Sequence, residues 1–217
     1  MGRSPQKELG KAPPALWLLA AGGFFSLATT LLPDLAALFI YDRQGILRGE
    51  WWRLVSGHFV HFSHEHLVAN LLALGASGWV FSRFGSHCLP RLWLTSTLAI
   101  SISLLIFIPR MDFYGGLSGL VTAQFAFICV MGLNDREPLK ILSQLGLIAL
   151  VIKLFWEVSF GGSLLHSLGT QPFEPAPLAH LAGGLAGAWL ARRKIDGGKR
   201  ELGLATLANK ERYVLKR

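Results

Sequence analysis

The chain alternates long uncharged apolar stretches with short segments that carry most of its charges. Six of these stretches are candidates for membrane-spanning helices, because most come near the roughly 20 apolar residues that a helix needs to cross a bilayer. The last stretch is shorter, so its helix is expected to begin below the membrane surface. The pattern predicts an all-α, polytopic membrane protein. The expected spans are Ala15–Leu32, His66–Phe84, Pro90–Ile108, Gly115–Gly132, Leu139–Val158 and Leu178–Ala191.

Composition supports a membrane protein over a soluble one. Only 16% of the 217 residues are charged and the mean hydropathy is +0.43, whereas soluble domains carry about 25% charged residues. The net charge of +8 raises the possibility of a nucleic-acid partner. The basic residues flank the apolar stretches, however, as topology signals do, so the lipid bilayer is the expected partner and nucleic acid is not.

The distribution of basic residues predicts the orientation. With the amino terminus inside, sixteen of the 21 Lys and Arg residues fall on the cytoplasmic side and four on the other. Cytoplasmic loops of membrane proteins are enriched in Lys and Arg, so both termini are expected to be cytoplasmic. The sequence therefore predicts a cytoplasmic segment at residues 1–14, a membrane domain at 15–193 and a basic cytoplasmic tail at 194–217. The long outer loop, Pro33 to about Glu65, is expected to be structured because of its length.

Unusual polar residues fall at one depth in this topology. The second, fourth and sixth spans run in the same direction, and His66, Asn70, Ser118 and His180 all lie in their first one or two turns. Polar groups inside spans are costly and usually mark function. The expected active site therefore lies near the extracytoplasmic face.

The residue types in this set suit acyl transfer. A serine hydroxyl becomes a good nucleophile when a base takes its proton, and histidine suits that task near neutral pH. Ser118 and His180 are the candidate pair. The Asn70 amide, a His66 N–H and the Ser118 backbone N–H are candidate donors to an oxyanion. Gly115, Gly116 and Gly119, with Gly183 and Gly187 in a GxxxG pattern, would let the helices approach closely.

Four motifs in order resemble the bacterial rhomboid intramembrane serine proteases: WR at 52–53, HFSxxHLxxN at 61–70, GGLSG at 115–119 and AHLAGxxxG at 179–187. The resemblance covers roughly residues 49–191 and implies a six-transmembrane-helix rhomboid-like bundle in a bacterial inner membrane. It implies a serine endopeptidase that cleaves transmembrane or membrane-anchored proteins without a cofactor or metal. The roles it implies are as follows: Ser118 and His180 form a dyad without a carboxylate; His66, Asn70, Gly116 and Leu117 bind the oxyanion or substrate; and His61, Trp52, Arg53, Gly183 and Gly187 support the structure.

Two finer expectations follow from the same resemblance. The bare six-span unit and the phrase GEWWRLVSGHFVH resemble the rhombosortase branch, which is associated with precursors that carry a carboxy-terminal Gly-Gly, transmembrane and basic tail. The chain also departs from the family, since Thr122 stands where many rhomboids have an aromatic residue that packs on the catalytic histidine. The orientation of His180 is therefore less well determined by the sequence than its identity.

Several alternatives remain open at this stage. The chain could be a catalytically inactive rhomboid-like protein that binds membrane helices as a chaperone, or a small transporter, although transporters usually show paired inverted repeats. A metalloprotease would need an HExxH spacing, which His58, His61, His64 and His66 do not provide. Lys153 and Glu157, spaced i, i+4, are expected to form a local ion pair rather than to take part in chemistry.

Overall fold

The protein is described by a computed structural model that covers residues 14–160 and 176–214, and almost all of this part of the chain outside the first loop is helical. Two-residue strands β1 (Tyr41–Asp42) and β2 (Phe113–Tyr114) pair antiparallel. Short 3-10 turns occupy Gly57–Phe59 and Ser86–Cys88. The α-helices are α1 Pro14–Leu31, α2 Pro33–Phe39, α3 Arg43–Leu47, α4 Arg53–Ser56, α5 His64–Gly85, α6 Leu89–Phe107, α7 Ser118–Gly132, α8 Leu139–Phe160 and α9 Pro177–Val214.

Each of the six expected spans coincides with a helix: α1, α5, α6, α7, α8 and α9. Among the described residues, α5, α6 and α8 are long and apolar enough to cross a membrane. A fourth span results if α1 and α2, which are bent by 119° at Leu32, count as one. The apolar helix α7 has 15 residues, fewer than the roughly 20 that a helix needs to cross a bilayer. The finding is therefore a mostly helical chain with three or four candidate spans, and the count of six stays a prediction.

The structure bears on only part of the expected division into segments 1–14, 15–193 and 194–217. The segment 1–14 lies almost wholly outside the described residues. The expected junction between membrane domain and tail, at residues 193 and 194, falls inside α9, whose backbone continues as one helix to Val214.

The long loop between α1 and α5 is folded around a buried arginine. Arg53 is 7% exposed, and its guanidinium donates to the carbonyls of Ala37 and Ile40 and pairs with Glu50 at 2.5 Å. The Trp52 indole N–H donates to the Leu38 carbonyl at 3.2 Å. Together these bonds satisfy carbonyls at the end of α2, which would otherwise lack partners. The WR element thus holds the loop together.

The β1–β2 pair connects this loop to the chain that leads into α7. Tyr41 pairs with Tyr114, and both side chains are buried, with their rings 6.1 Å apart in an edge-on arrangement. Since Tyr114 lies four residues before Ser118, the pairing fixes the position of the segment that begins α7.

Helix α7 lies at the centre of the bundle and contacts α5, α6, α8 and α9. Its residues Leu120, Ala123 and Phe127, with Leu117 just before the helix, are almost fully buried and pack in one apolar cluster with side chains of α5, α6 and α9. By contrast, α8 exposes many large apolar side chains, such as Val151 and Phe155. That surface is suited to lipid. Most of α7 is covered by protein, although Phe125 on this helix is 38% exposed.

Two glycines of α9 bring that helix against the backbone of α7. A Cβ atom on Gly183 would overlap the carbonyl oxygen of Gly119, and one on Gly187 would overlap that of Ala123. Helix association in lipid depends on close van der Waals packing, because lipid tails are as apolar as the side chains. The small residues at these positions therefore set the distance between α7 and α9.

Replacing Gly187 by alanine tests this packing. The added methyl group would meet backbone rather than a movable side chain, so we expect Gly187→Ala to lower the free energy of unfolding by at least about 1–3 kcal/mol. The measurement is thermal unfolding in detergent. Gly197→Ala is the matched control on the same helix, because a Cβ there has no atom within 4 Å. It should leave stability unchanged or raise it by up to about 1 kcal/mol, and equal loss in both variants would contradict the account.

Candidate active site

The expected site residues lie at the starts of three helices that pack together. Ser118 is the first residue of α7, His66 and Asn70 lie in the first two turns of α5, and His180 lies in the first turn of α9. Helix α7 contacts both α5 and α9. The contact is close beside the candidate pair, since a Cβ on Gly119 would lie 3.3 Å from the carbonyl oxygen of Ala179. The residues that follow Ser118 and precede His180 are therefore neighbours.

Two glycines determine how the chain approaches Ser118. Gly116 has φ +125°, a conformation that side-chain-bearing residues rarely adopt, and a Cβ there would lie 2.6 Å from Cε1 of His66. A Cβ on Gly115 would lie 2.6 Å from the carbonyl oxygen of Val60. The backbone thus passes between the first loop and the His66 ring with no room for a side chain.

Ser118 is half-buried and lies beside Tyr114. The hydroxyl of Thr122 donates to the Ser118 carbonyl at 2.8 Å within the first turn of α7. Burial raises the pKa of the Tyr114 phenol above its usual value, against the opposing hydrogen bond of the Ser118 side chain. The phenol therefore stays neutral next to the serine, and the site gains no negative charge from it.

Asn70 carries a side-chain amide that is a buried hydrogen-bond donor without an acceptor among the described residues. Its side chain is 6% exposed, and its Nδ2 atom has no hydrogen-bond partner among the residues that the structure describes. Leaving a buried donor unpaired costs about 1–3 kcal/mol, so such groups are rare without a functional reason. His66 is half-buried and lies close enough to His180 for the two side chains to interact electrostatically.

The backbone N–H of Leu117, expected among the oxyanion or substrate-binding groups, is engaged elsewhere. It donates to Nε2 of His61 at 3.4 Å. Burial, followed by the charge of nearby His66, lowers the pKa of His61 to about 3, so the ring is neutral at physiological pH. Since Nε2 accepts this bond, the ring proton is assigned to Nδ1. His61 thus anchors the segment before Ser118, and the Leu117 amide is not free in this conformation.

His180 is held by a carboxylate that the sequence did not predict. Its Nδ1 atom lies 2.7 Å from Oε2 of Glu157, and the ring is 7% exposed. The other oxygen of Glu157 accepts a bond from Nζ of Lys153 at 2.7 Å, which is the expected local ion pair. The same Nζ lies 3.1 Å from Nδ1 of His180. The expectation of a histidine without a carboxylate partner is therefore wrong for this chain.

The sequence contained a signal for this contact. A carboxylate within an apolar helix is costly and requires partners, and Glu157 is 1% exposed near the end of α8. Lys153, one turn earlier, offered a local explanation that accounted for only one of its two oxygens. The second oxygen meets His180 because the last turns of α8 lie against the start of α9.

The structure contains a second serine–histidine pair, formed by His58 and Ser101. Nε2 of His58 lies 3.0 Å from Oγ of Ser101 and 3.2 Å from the Thr97 carbonyl, and Ser101 donates its proton to the Leu54 carbonyl at 2.7 Å. Both side chains are fully buried, and burial lowers the pKa of His58 to about 4. The pair connects the first loop to α6. Because the Ser101 hydroxyl already donates its proton to a carbonyl, the pair is poorly placed to attack a substrate.

Two histidines of the first loop form hydrogen bonds to different parts of the bundle. His58 bonds α6, whereas His61 bonds the segment before α7. Within residues 14–160 and 176–214, no group of three or more His, Cys, Asp or Glu side chains lies close enough together to hold a metal ion.

A family profile described as the Rhomboid domain matches residues 48–195, which is more than half of the chain. The chain belongs to the rhomboid family. The match spans α4 to the middle of α9 and so includes every candidate site residue. Together with the apolar helices, membership identifies an integral membrane protein.

This rhomboid is also similar to curated relatives. It is 30% identical over 193 residues to a protein named rhomboid protease GlpG from Salmonella choleraesuis, a match that covers 83% of this chain and 63% of the relative. It is 28% identical over 110 residues to rhomboid protease GluP from Bacillus subtilis, covering 50% of this chain and 21% of that protein. The chain thus spans less than two thirds of the length of these relatives.

Proposed function

We propose that the protein is an intramembrane serine endopeptidase in which Ser118 is the nucleophile and His180 the base. The observation that carries the proposal is the packing of α7 on α9 beside Gly119 and Ala179, the immediate neighbours of the two residues, within a rhomboid domain. The relatives named rhomboid proteases support the same activity. The site would lie near the outer membrane face, with both termini cytoplasmic and six spans in all.

The reaction follows from the groups at the site. His180 accepts the Ser118 proton at Nε2 while Oγ bonds to the substrate carbonyl carbon and the carbonyl oxygen takes the negative charge. Collapse of this intermediate breaks the C–N bond, and His180 returns the proton to the leaving amine. Water then attacks the acyl carbon while His180 takes its proton. Collapse of the second tetrahedral intermediate breaks the C–O bond to Ser118, and His180 returns the proton to Oγ.

The oxyanion would be stabilised by donors from two helices. The unpartnered Nδ2 of Asn70 and the side chain of His66 come from α5. The start of α7 adds free backbone N–H groups and the positive end of a helix dipole beside Ser118. Since Leu117 donates to His61, the Ser118 amide is the better candidate for the backbone donor. Each side-chain donor in such a site is worth about 10²–10³ in rate.

Labelling with a fluorophosphonate probe tests the assignment. We expect the detergent-purified protein to be labelled covalently, Ser118→Ala to lose labelling and His180→Ala to be labelled much more slowly. The matched control is Ser101→Ala, which removes the serine of the other pair and should be labelled as the wild type is. The readout is gel fluorescence with identification of the modified peptide by mass spectrometry.

The outcomes separate the possible functions. Equal labelling of the wild type and Ser118→Ala would exclude Ser118 as nucleophile. Loss of labelling in folded Ser101→Ala would move the active site to the His58–Ser101 pair. A folded wild type that no probe concentration labels would favour the alternative, an inactive rhomboid-like protein that binds membrane helices.

For the substrate, we propose membrane proteins whose anchoring helix is easily unwound, with the Gly-Gly-tailed precursors of the rhombosortase branch as the best candidates. A peptide bond within a helix is hidden and hydrogen-bonded, so the substrate must unwind before Ser118 can reach it. Each glycine costs a helix about 1 kcal/mol relative to alanine. Two glycines therefore lower the cost of unwinding at the cleavage site.

A pair of reporter substrates tests this specificity. Each carries a soluble tag, a Gly-Gly or Ala-Ala pair, an apolar helix and a basic tail, and the two are otherwise identical. We expect the Gly-Gly reporter to be cleaved about tenfold faster or more in proteoliposomes, since about 2 kcal/mol separates the helices. Equal cleavage would remove the Gly-Gly preference while leaving the protease assignment intact.

A further inference from the structure

Glu157 is a buried carboxylate whose two oxygens have different partners. Oε1 accepts from Lys153, and Oε2 faces Nδ1 of His180. The Lys153 side chain is 38% exposed, whereas Glu157 is almost completely buried at 1%. Burying a charge is costly unless it is paired and hydrogen-bonded. The two contacts satisfy this requirement, and one of them is with His180, the proposed base.

The short distance to His180 determines where the imidazole proton lies. Glu157 is paired with the Lys153 ammonium, so it is ionised and accepts hydrogen bonds without donating them. A separation of 2.7 Å between Oε2 and Nδ1 therefore requires the proton to be on Nδ1. A neutral imidazole with its proton on Nδ1 has a free lone pair on Nε2, which is the nitrogen that must accept the Ser118 proton.

Lys153 would have the opposite effect if it acted alone. Its Nζ lies 3.1 Å from the same Nδ1 and, as an ammonium, can only donate. A bond from Nζ to Nδ1 would move the ring proton to Nε2 and leave the ring unable to act as a base. Among the residues that the structure describes, the other charged or titratable groups that face His180 are Glu157 and, from α5, His66. Of these neighbours, only Glu157 can accept the Nδ1 proton as a carboxylate.

We propose that Glu157 is a positioning residue that fixes the tautomer and orientation of His180, so that the site works as a Ser118–His180–Glu157 triad. The inference rests on the proposed protease function for its consequences in rate, but its effect on the tautomer is independent of activity. The carboxylate also stabilises the imidazolium that forms when His180 takes the serine proton.

The test is Glu157→Gln, which keeps the shape of the side chain and removes the charge. In this variant the Lys153 ammonium retains the amide oxygen, so the amide NH₂ faces Nδ1 and donates to it. We expect His180 to change to the Nε2–H tautomer, measured by ¹⁵N NMR of histidine-labelled protein with the His180 signals assigned by comparison with His180→Ala. We expect the rate of fluorophosphonate labelling to fall by about 10²-fold or more.

Lys153→Met is the matched control, because it removes the other half of the ion pair and leaves the bond between Glu157 and His180. We expect it to retain the Nδ1–H tautomer and most of the labelling rate. The double variant, Glu157→Gln with Lys153→Met, frees the amide to turn its oxygen towards His180. We therefore expect it to recover part of the Nδ1–H population and to be labelled faster than Glu157→Gln alone, which a role limited to holding α8 against α9 would not produce.

The proposal is overturned if folded Glu157→Gln keeps the Nδ1–H tautomer and the wild-type labelling rate. It is also overturned if Lys153→Met and Glu157→Gln lower the rate equally and the double variant restores nothing, since the ion pair would then be structural. A wild type without labelling at Ser118 would instead contradict the proposed function, and the NMR comparison would still decide the role of Glu157.

Discussion

The contact between α7 and α9 is the constraint on which the rest of the structure depends. It is made by glycines of α9 against backbone carbonyls of α7, so the distance between the helices is set by main-chain atoms and not by adjustable side chains. In lipid such packing takes the place of the hydrophobic effect that drives association in water. The contact sets the distance between the two helices. It also brings together their first turns, which carry Ser118 and His180.

Around this contact, the remaining elements position the first turns of the helices. The buried Arg53 keeps the first loop folded, and the β1–β2 pair connects that loop to the segment before α7. His61 then holds the Leu117 amide from the loop side. The segment that presents Ser118 is therefore fixed from two directions, while Gly116 gives it the backbone conformation to pass the His66 ring.

Sequence reasoning identified the helices and the helix starts because both depend on local pattern. Apolar run length located α1, α5, α6, α7, α8 and α9, and the costly polar residues in three first turns indicated the candidate site. It could not find the bond between Glu157 and His180, which depends on the face of α8 that lies against α9. Lys153, one turn away on the same helix, already explained the charge of Glu157, so there was no reason in the sequence to look for a second partner. The engagement of the Leu117 amide by His61, 56 residues away, was hidden for the same reason.

A crystal structure of the protein after reaction with a fluorophosphonate tests the central claim most directly. We expect phosphorus bonded to Oγ of Ser118 and a phosphonyl oxygen within hydrogen-bonding distance of Nδ2 of Asn70. The His180 ring should lie beside the adduct, with its Nδ1 atom hydrogen-bonded to Glu157. An adduct on another residue, or a Ser118 separated from His180 by an intervening helix, would contradict this claim.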